Sequence, residues 1–257
     1  MHGLITTRRD LLHLMAGGAA FAFNALPAHA GEARIDRLIV QAQAYPAVSR
    51  RIDFISAALR GTGYRAYTLI GGPRQPEKFV VRDDVFDCVT YLETVLAAAI
   101  ARKPDEFEGL LRKIRYHNGV VEWRERNHYF FDWCRHNVEN GLFRWLAIDG
   151  AIDIHKTVDS QKGLDTRHFT MPVVPRTVFL AKKALLQTGD VIGFVSHRAD
   201  LDYFHAGLIA FGPKNELLLR HAAESEHRVL DEPMERFMER WSVRYVSLVR
   251  ALEPPAA

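Results

Sequence analysis

The spacing of apolar residues changes from helical to strand-like at about residue 190 of the 257-residue chain. In several segments before about residue 140, apolar side chains recur every three or four residues, which places them on one face of a helix. After about residue 190, short segments rich in β-branched and aromatic residues are bounded by turn residues, at about 190–196, 204–211, 216–222 and 244–250. Helices followed by an antiparallel sheet predict an α+β fold.

Local signals predict where individual helices begin. Ser49, Asp105 and Asn127 carry side chains of the type that caps helix N-termini. One further helix, Pro233–Trp241, is expected among the strands because its apolar residues return to helical spacing. The segment 140–174 has no clear period, and the sequence assigns it no structure.

The N-terminus has the features of an export signal. Arg8 and Arg9 precede a short apolar run, and a small-x-small pattern ends at Ala30. These features are typical of a twin-arginine signal peptide over 1–30, with cleavage after Ala30. The alternative is an amphipathic first helix, which the paired glycines in the run disfavour. We therefore expect an exported, periplasmic protein with a single domain over 31–257.

Composition narrows the classes of function that the chain can serve. Hydrophobic residues make up 48% and charged residues 25%, which are ordinary values for a globular domain. The net charge of +3 is small, and no nucleic-acid-binding motif or basic block is present. No apolar run after the leader is long enough to span a membrane. We expect a monomer without a cofactor, a nucleic-acid partner or a membrane span.

Cys88 falls where an irregular acidic segment gives way to a periodic helix. A cysteine in the first turn of a helix lies at the positive end of the helix dipole, which favours the thiolate over the thiol. Because the thiolate is the nucleophilic form, Cys88 is a candidate catalytic residue; the alternative is a small buried apolar residue. Cys134 lies in an aromatic helical segment and is expected to be buried. No metal-ligand spacing is present, so no metal site is predicted.

Two histidines lie on the strands that flank the turn at Pro213. A hairpin centred on Pro213 places His205 directly opposite His221, and directly opposed residues share a sheet face. One imidazole could then act as a base while the other orients its ring and fixes its tautomer. A centre displaced by half a residue would place the two rings on opposite faces. The small residues Ala206 and Gly207 are expected to let the Cys88 helix approach the sheet closely.

Six short motifs follow one another along the chain in the order found in a known family. They are Gly61-Thr62-Gly63-Tyr64, Phe86-Asp87-Cys88-Val89-Thr90-Tyr91-Leu92-Glu93, Arg126-Asn127-His128-Tyr129, Thr188-Gly189-Asp190-Val191-Ile192, His205-Ala206-Gly207 and Leu219-Arg220-His221-Ala222. On these motifs the sequence resembles the N-acetylmuramoyl-L-alanine amidase-like family, a branch of the NlpC-type papain-like cell-wall cysteine peptidases. The resemblance implies a papain-like domain whose helical N-terminal half packs on an antiparallel sheet.

The same resemblance implies roles for the residues of the catalytic site. Cys88 matches the nucleophile, His205 the base and His221 the third member of the triad. Tyr64 matches the tyrosine that forms the oxyanion hole together with the backbone N–H of Cys88. Asp87, which precedes the nucleophile, resembles a contact to the stem peptide.

The motif at Arg126 leaves two interpretations open. Asn127 and Tyr129 match positions that contact substrate, and Asn127 is equally suited to cap the helix that follows.

The family resemblance implies a cysteine-dependent amidohydrolase that acts on peptidoglycan or muropeptides. The family name implies the amide bond between N-acetylmuramic acid and L-Ala. The alternatives are an endopeptidase that cuts within the stem peptide and a non-catalytic wall-binding protein. A zinc-dependent amidase is disfavoured because the sequence lacks the ligand spacing.

Overall fold

The computed structural model describes residues 29–254, with side chains from residue 34 onward. The predicted twin arginines, Arg8 and Arg9, therefore lie outside the described residues, and the predicted cleavage point after Ala30 falls in the first turn of the first helix. The helices are α1 (His29–Ala42), α2 (Val48–Ala58), α3 (Cys88–Ile100), α4 (Phe107–Arg115), α5 (Phe130–Glu139), α6 (Arg176–Ala181) and α7 (Met234–Arg240).

Twelve strands lie in the described part of the chain. They are β1 (Gly63–Tyr64), β2 (Ile70–Gly72), β3 (Gln75–Lys78), β4 (Val85–Phe86), β5 (Phe143–Trp145), β6 (Ile152–Val158), β7 (Arg167–Pro175), β8 (Val191–Val195), β9 (Tyr203–Phe211), β10 (Leu217–Ala223), β11 (Arg228–Pro233) and β12 (Tyr245–Ala251). The segment 140–174, to which the sequence assigned no structure, thus forms three strands.

Ten of the strands form one sheet in the order β4-β1-β11-β10-β9-β8-β12-β7-β6, with β5 also paired to β12. The pairing of β1 with β4 is parallel, and the other pairings in this sheet are antiparallel. The strands β2 and β3 form a separate hairpin. Helices combined with a mostly antiparallel sheet confirm the predicted α+β class.

The sheet carries an apolar core on each face. On one face, residues of α1 to α5 pack against Ala206, Leu208 and Ala222. On the other face, residues of α6 and α7 pack against strand side chains that include Phe194 and Ile209. The predicted packing of the helical N-terminal half on the sheet is therefore present on the first face, and two later helices cover the second.

The helix α3 lies at the centre of the first core. All residues of α3 except the first two are buried. The buried residues include the charged side chain of Glu93. Glu93 Oε2 accepts a hydrogen bond of 2.6 Å from Arg115 Nε, and both side chains are almost fully buried. Loss of one partner of such a pair costs about 3–5 kcal/mol, because a charge is left buried without compensation. This pair fixes α4 against the helix that begins at Cys88.

The three predicted helix caps were wrong. Ser49 lies inside α2, whose first residue Val48 donates its N–H to the distant carboxylate of Glu253 at 2.8 Å. Asp105 lies within a short 3-10 turn and pairs with Lys103 instead of capping α4.

Asn127 also precedes the helix start, because the N-cap of α5 is Tyr129. The N–H of Phe131 in the first turn of α5 donates instead to Asp202 at 2.8 Å. The N–H groups at the starts of α2 and α5 therefore donate to carboxylates from distant parts of the chain, and not to the local side chains predicted from the sequence.

Within residues 29–254, every helix either is too short or contains too few apolar residues to span a lipid bilayer.

Candidate active site

Asp87 caps the helix that carries Cys88. Its backbone is extended, and its Oδ1 accepts hydrogen bonds from the N–H groups of Val89 at 3.0 Å and Thr90 at 2.8 Å. Thr90 Oγ1 in turn accepts from the Asp87 N–H at 2.9 Å, which completes a capping box. Cys88 is therefore the first residue of a well-formed helix, where the helix dipole favours the thiolate. The capping role of Asp87 is a finding, and its predicted contact to substrate stays a prediction.

Tyr64 is held beside the strand that leads into Cys88. In the parallel pairing of β1 with β4, Tyr64 lies next to Phe86. The Tyr64 N–H donates to His227 O, and the Arg65 N–H donates to Phe86 O, both at 2.9 Å. The backbone therefore brings the predicted oxyanion-hole tyrosine to within two residues of the predicted nucleophile.

His205 and His221 are in contact. His205 Nε2 lies 2.6 Å from His221 Nδ1, and the two rings are nearly perpendicular, at 84°. The prediction that they share one sheet face is thereby confirmed.

The predicted centre of the hairpin was wrong by one residue, which shifts the pairing of the two strands by two residues. Phe211 pairs with Leu217 and Leu208 with Arg220, so the hairpin is centred on Lys214 rather than on Pro213. In that register His205 lies two residues away from the position opposite His221. A displacement of two residues keeps both side chains on one face, because side chains alternate with a period of two. The two rings therefore contact each other diagonally across the neighbouring strands β9 and β10, although their residues are not directly opposite.

Gly207 makes room for the histidine pair and not, as predicted, for the Cys88 helix. A side-chain Cβ at this position would lie 2.6 Å from Leu219 Cδ1 and 3.1 Å from the Cβ of His221. Ala206 alone points towards the core that contains α3. The prediction was therefore right for Ala206 and wrong for Gly207, since consecutive strand residues face opposite sides.

The histidine pair lies against aromatic rings of the second core. The ring of Phe237 on α7 lies 5.4 Å from His205 and 5.6 Å from His221. His221 is only 2% exposed, whereas His205 is half-buried. Burial first, and then the nearby His221 and Arg240, hold the pKa of His205 well below its ordinary value. At neutral pH His205 is therefore uncharged and able to accept a proton.

A carboxylate and a guanidinium continue the line of polar groups beyond His221. Glu232 Oε1 lies 2.9 Å from His221 Nε2, off the direction of a well-aligned hydrogen bond. Arg240 on α7 donates to both oxygens of Glu232, at 2.9 and 2.7 Å. Burial alone would raise the pKa of Glu232, but contact with His221 and Arg240 outweighs it and lowers the pKa. The sequence-based reasoning missed Glu232, because it did not assign the strand β11.

Strand directions place Cys88, Tyr64, His205 and His221 at the same end of the sheet. β10 ends and β9 begins there, and Arg228 at the start of β11 pairs with Gly63 of β1. β4 runs parallel to β1 and passes directly into α3. The body of α3 packs on the first face of the sheet, whereas the two imidazoles lie on the face covered by α7.

Asn127 and Tyr129 occupy structural positions. Asn127 Nδ2 donates to Ile114 O at 3.2 Å, and its Oδ1 lies 2.6 Å from His136 Nδ1. Tyr129 is 1% exposed, and its hydroxyl oxygen accepts from the Gln161 N–H at 3.3 Å. Both residues line a cleft of about 350 Å³ that Cys88, His205 and His221 do not line. Their predicted contact with substrate stays a prediction.

Cys134 is buried, as predicted. It is 2% exposed, and burial raises the pKa of its thiol well above the ordinary value. No disulfide joins it to Cys88, which is half-buried. Within residues 34–254 no group of three or more His, Cys, Asp or Glu side chains is placed to hold a metal ion.

Residues 54–243 match the sequence profile of the AmiA-like family, described as N-acetylmuramoyl-L-alanine amidase-like. This stretch is well over half of the chain, so the chain belongs to that family. It includes Cys88, Tyr64 and both histidines of the contact pair. No curated protein sequence matches the chain significantly.

Two solved structures show the same fold. A Legionella pneumophila protein of the family DUF1460 has a TM-score of 0.75 and 22% identity, over 89% of this chain and 98% of its own. An N-acetylmuramoyl-L-alanine amidase of Bacteroides uniformis has a TM-score of 0.61 and 22% identity, over 77% of this chain and 97% of its own. At such low identity the likeness establishes the fold alone.

Proposed function

We propose that the protein is a cysteine-dependent peptidoglycan amidohydrolase that cleaves the amide bond between N-acetylmuramic acid and L-Ala. The observation that carries the proposal is the contact of His205 with His221 at the same end of the sheet as Cys88. Membership of the amidase-like family supports the class of bond. The nucleophile on a helix N-terminus and the base on an antiparallel strand are the features of an NlpC-type, papain-like domain.

In this proposal His205 takes the proton of the Cys88 thiol, and the resulting thiolate attacks the carbonyl carbon of the lactyl group. The backbone N–H of Cys88 and the hydroxyl of Tyr64 stabilise the oxyanion of the tetrahedral intermediate. His205 transfers a proton to the amine of L-Ala, which leaves as the carbon–nitrogen bond breaks. Water then attacks the thioester while His205 takes its proton, and the thiolate departs from a free lactyl carboxylate.

His205 Nδ1 is the atom that carries the proton in these steps, because Nε2 contacts His221. The step requires that the sulfur of Cys88 meets this nitrogen at the end of the sheet. The lowered pKa of His205 supports the proposal, because an uncharged imidazole is the form that accepts a proton.

The stem peptide is the part of the substrate that we assign to Asp87, Asn127 and Tyr129. Asp87 directly precedes Cys88, and its second carboxylate oxygen accepts none of the hydrogen bonds of the capping box. We further propose export through the twin arginines at positions 8 and 9, because peptidoglycan lies outside the cytoplasm. N-terminal sequencing of the exported protein should find Gly31, and an intact Met1 would contradict this part of the proposal.

Mass spectrometry of digested muropeptides tests the activity. The wild type should release stem peptides with a free L-Ala amine, and Cys88→Ala should release none. Cys134→Ala is the matched control and should retain activity, since that thiol is buried in the core. Shortened stem peptides would replace the proposed bond by one within the stem. Inhibition by a chelator but not by iodoacetamide would contradict the cysteine mechanism.

A further inference from the structure

We propose that Glu232, held by Arg240, is a positioning residue that fixes the protons of the two histidines so that His205 Nδ1 is left as the basic atom. The inference deepens the proposed function, on which it rests for the role of His205 as base. It follows from an order of contacts along four side chains that come from β9, β10, β11 and α7.

The contacts determine which nitrogen of each ring holds a proton. Glu232 is ionised, and its Oε1 lies 2.9 Å from His221 Nε2, so its negative charge favours a proton on that nitrogen even though the contact is not a well-aligned hydrogen bond. His221 therefore places its proton on Nε2, and its Nδ1 becomes an acceptor. The nitrogen 2.6 Å from that acceptor is His205 Nε2, which must then be the donor. A neutral imidazole has one N–H, so the lone pair of His205 is on Nδ1.

The position of Glu232 makes this ordering strong. Its side chain is 11% exposed, and the second core surrounds the histidine pair with Phe194, Phe237 and other apolar residues. Electrostatic contacts are stronger in such surroundings than in water. Arg240 donates to both carboxylate oxygens and so holds the carboxylate in place from the last turn of α7.

Charges at this site act on His205 in opposite directions. Negative charge on Glu232 stabilises a protonated imidazole pair, whereas Arg240 lowers the pKa of His205. Among the described residues, a chain of contacts joins His205 to three titratable groups, which are His221 of β10, Glu232 of β11 and Arg240 of α7. A purely structural pair would hold β11 to α7 without setting the titration of His205.

Nitrogen-15 NMR of histidine-labelled protein tests the inference without substrate. In the wild type, at a pH where both imidazoles are uncharged, both histidines should be protonated at Nε2. In Glu232→Leu both rings should become mixtures of tautomers, and Glu232→Gln should retain the wild-type tautomers because its amide oxygen still accepts. A wild-type His205 protonated at Nδ1, or unchanged tautomers in a folded Glu232→Leu protein, would overturn the proposal.

The titration midpoint of His205, followed by the same spectra, gives the second readout. Glu232→Gln should lower the midpoint by about one pH unit, and Arg240→Gln should raise it by a smaller amount. Arg236→Gln is the matched control, since Arg236 is an exposed arginine on the same helix, and it should leave the midpoint unchanged. Shifts of equal sign in the Glu232 and Arg240 variants would overturn the proposal.

Activity then separates this inference from the proposed function. Glu232→Leu should lower kcat/KM about 10- to 100-fold, with Glu232→Gln nearer to the wild type. Full activity in a Glu232→Leu protein with disordered tautomers would overturn the positioning role and leave the proposed amidase intact. If the wild type cleaves no muropeptide, the proposed function fails, and the spectra still decide whether Glu232 orders the two rings.

Discussion

The start of α3 and the histidine pair are organised in opposite ways. Cys88 is placed by its immediate neighbours, because Asp87 and Thr90 cap the helix within three residues of each other. His205 is placed by His221 and Phe237, which come from another strand and from a later helix. The nucleophile therefore depends on local structure, whereas the base depends on the register of the sheet and on the packing of α7.

The largest expected effect is on muropeptide cleavage when Cys88 or His205, one residue from each region, is replaced. Cys88→Ala should abolish muropeptide cleavage, and His205→Ala should come close to that loss, because general acid–base catalysis contributes about 10²- to 10⁴-fold. Steady-state kinetics on a purified muropeptide measures both losses. A His205→Ala protein with nearly wild-type kcat/KM would show that the two regions do not act together.

His221 is expected to matter less than His205, because it orients the base and does not transfer the proton. His221→Asn keeps a polar group between His205 and Glu232 and should lose about 10-fold in kcat/KM, and His221→Ala about 100-fold. The double variant His205→Ala/His221→Ala should be little worse than His205→Ala, since members of one catalytic unit are not additive. An unchanged kcat/KM in His221→Ala would remove His221 from the site.

The contact between Asp202 and the first turn of α5 can be tested by changing the pH. Burial raises the pKa of Asp202 to about 6, and its carboxylate accepts from the Phe131 N–H at 2.8 Å. The folded protein thus binds this proton more tightly than the unfolded chain, in which Asp titrates near ~3.9, so Asp202 lowers stability as pH rises from about 4 to about 7.

Asp202→Asn keeps the acceptor and removes the titration. The free energy of unfolding of the variant, relative to the wild type, should therefore increase by about 2 kcal/mol between pH ~4 and pH ~7. Urea denaturation across this range measures the difference. The control is Asp149→Asn, at a fully exposed side chain. A constant difference for Asp202→Asn would contradict the assignment.

The smallest expected effect comes from Gly207, where the sheet makes room for the histidine pair. Gly207→Ala should lower the free energy of unfolding by about 1–2 kcal/mol, since its Cβ would lie 2.6 Å from Leu219 Cδ1. The control is Gly212→Ala, whose Cβ would approach the carboxylate end of the exposed Glu216 side chain at 2.5 Å and Leu218 Cδ1 only at 3.5 Å. Equal losses in thermal or urea denaturation would refute the packing argument.

The sequence predicted the parts of the fold that depend on nearby residues. The helix that begins at Cys88 and the strand segments around the two histidines are present close to the expected bounds. Helical spacing and strand alternation are local properties, so a single sequence carries them. The shared face of His205 and His221 was also predicted, because an error of two residues in register leaves the face unchanged.

Features that depend on distant residues were missed. The caps of α2 and α5 come from Glu253 and Asp202, which no local pattern links to those helices. The strand β6 has mostly exposed or half-exposed residues, so it lacks the hydrophobic alternation of a half-buried strand. The strand β7 does alternate, with Phe169, Met171 and Val173 buried, but its alternation was not recognised in the sequence. Glu232 gains its place only through the pairing of β11 with β10.

The reactivity of Cys88 towards iodoacetamide tests most directly whether the two regions form one site. Labelling rates of the folded protein, followed by peptide mass spectrometry across a pH series, report the thiolate at each cysteine. We expect Cys88 to react much faster than Cys134 at neutral pH, and the Cys88 rate to fall in His205→Ala. Equal rates for the two cysteines, together with no change in His205→Ala, would contradict the account.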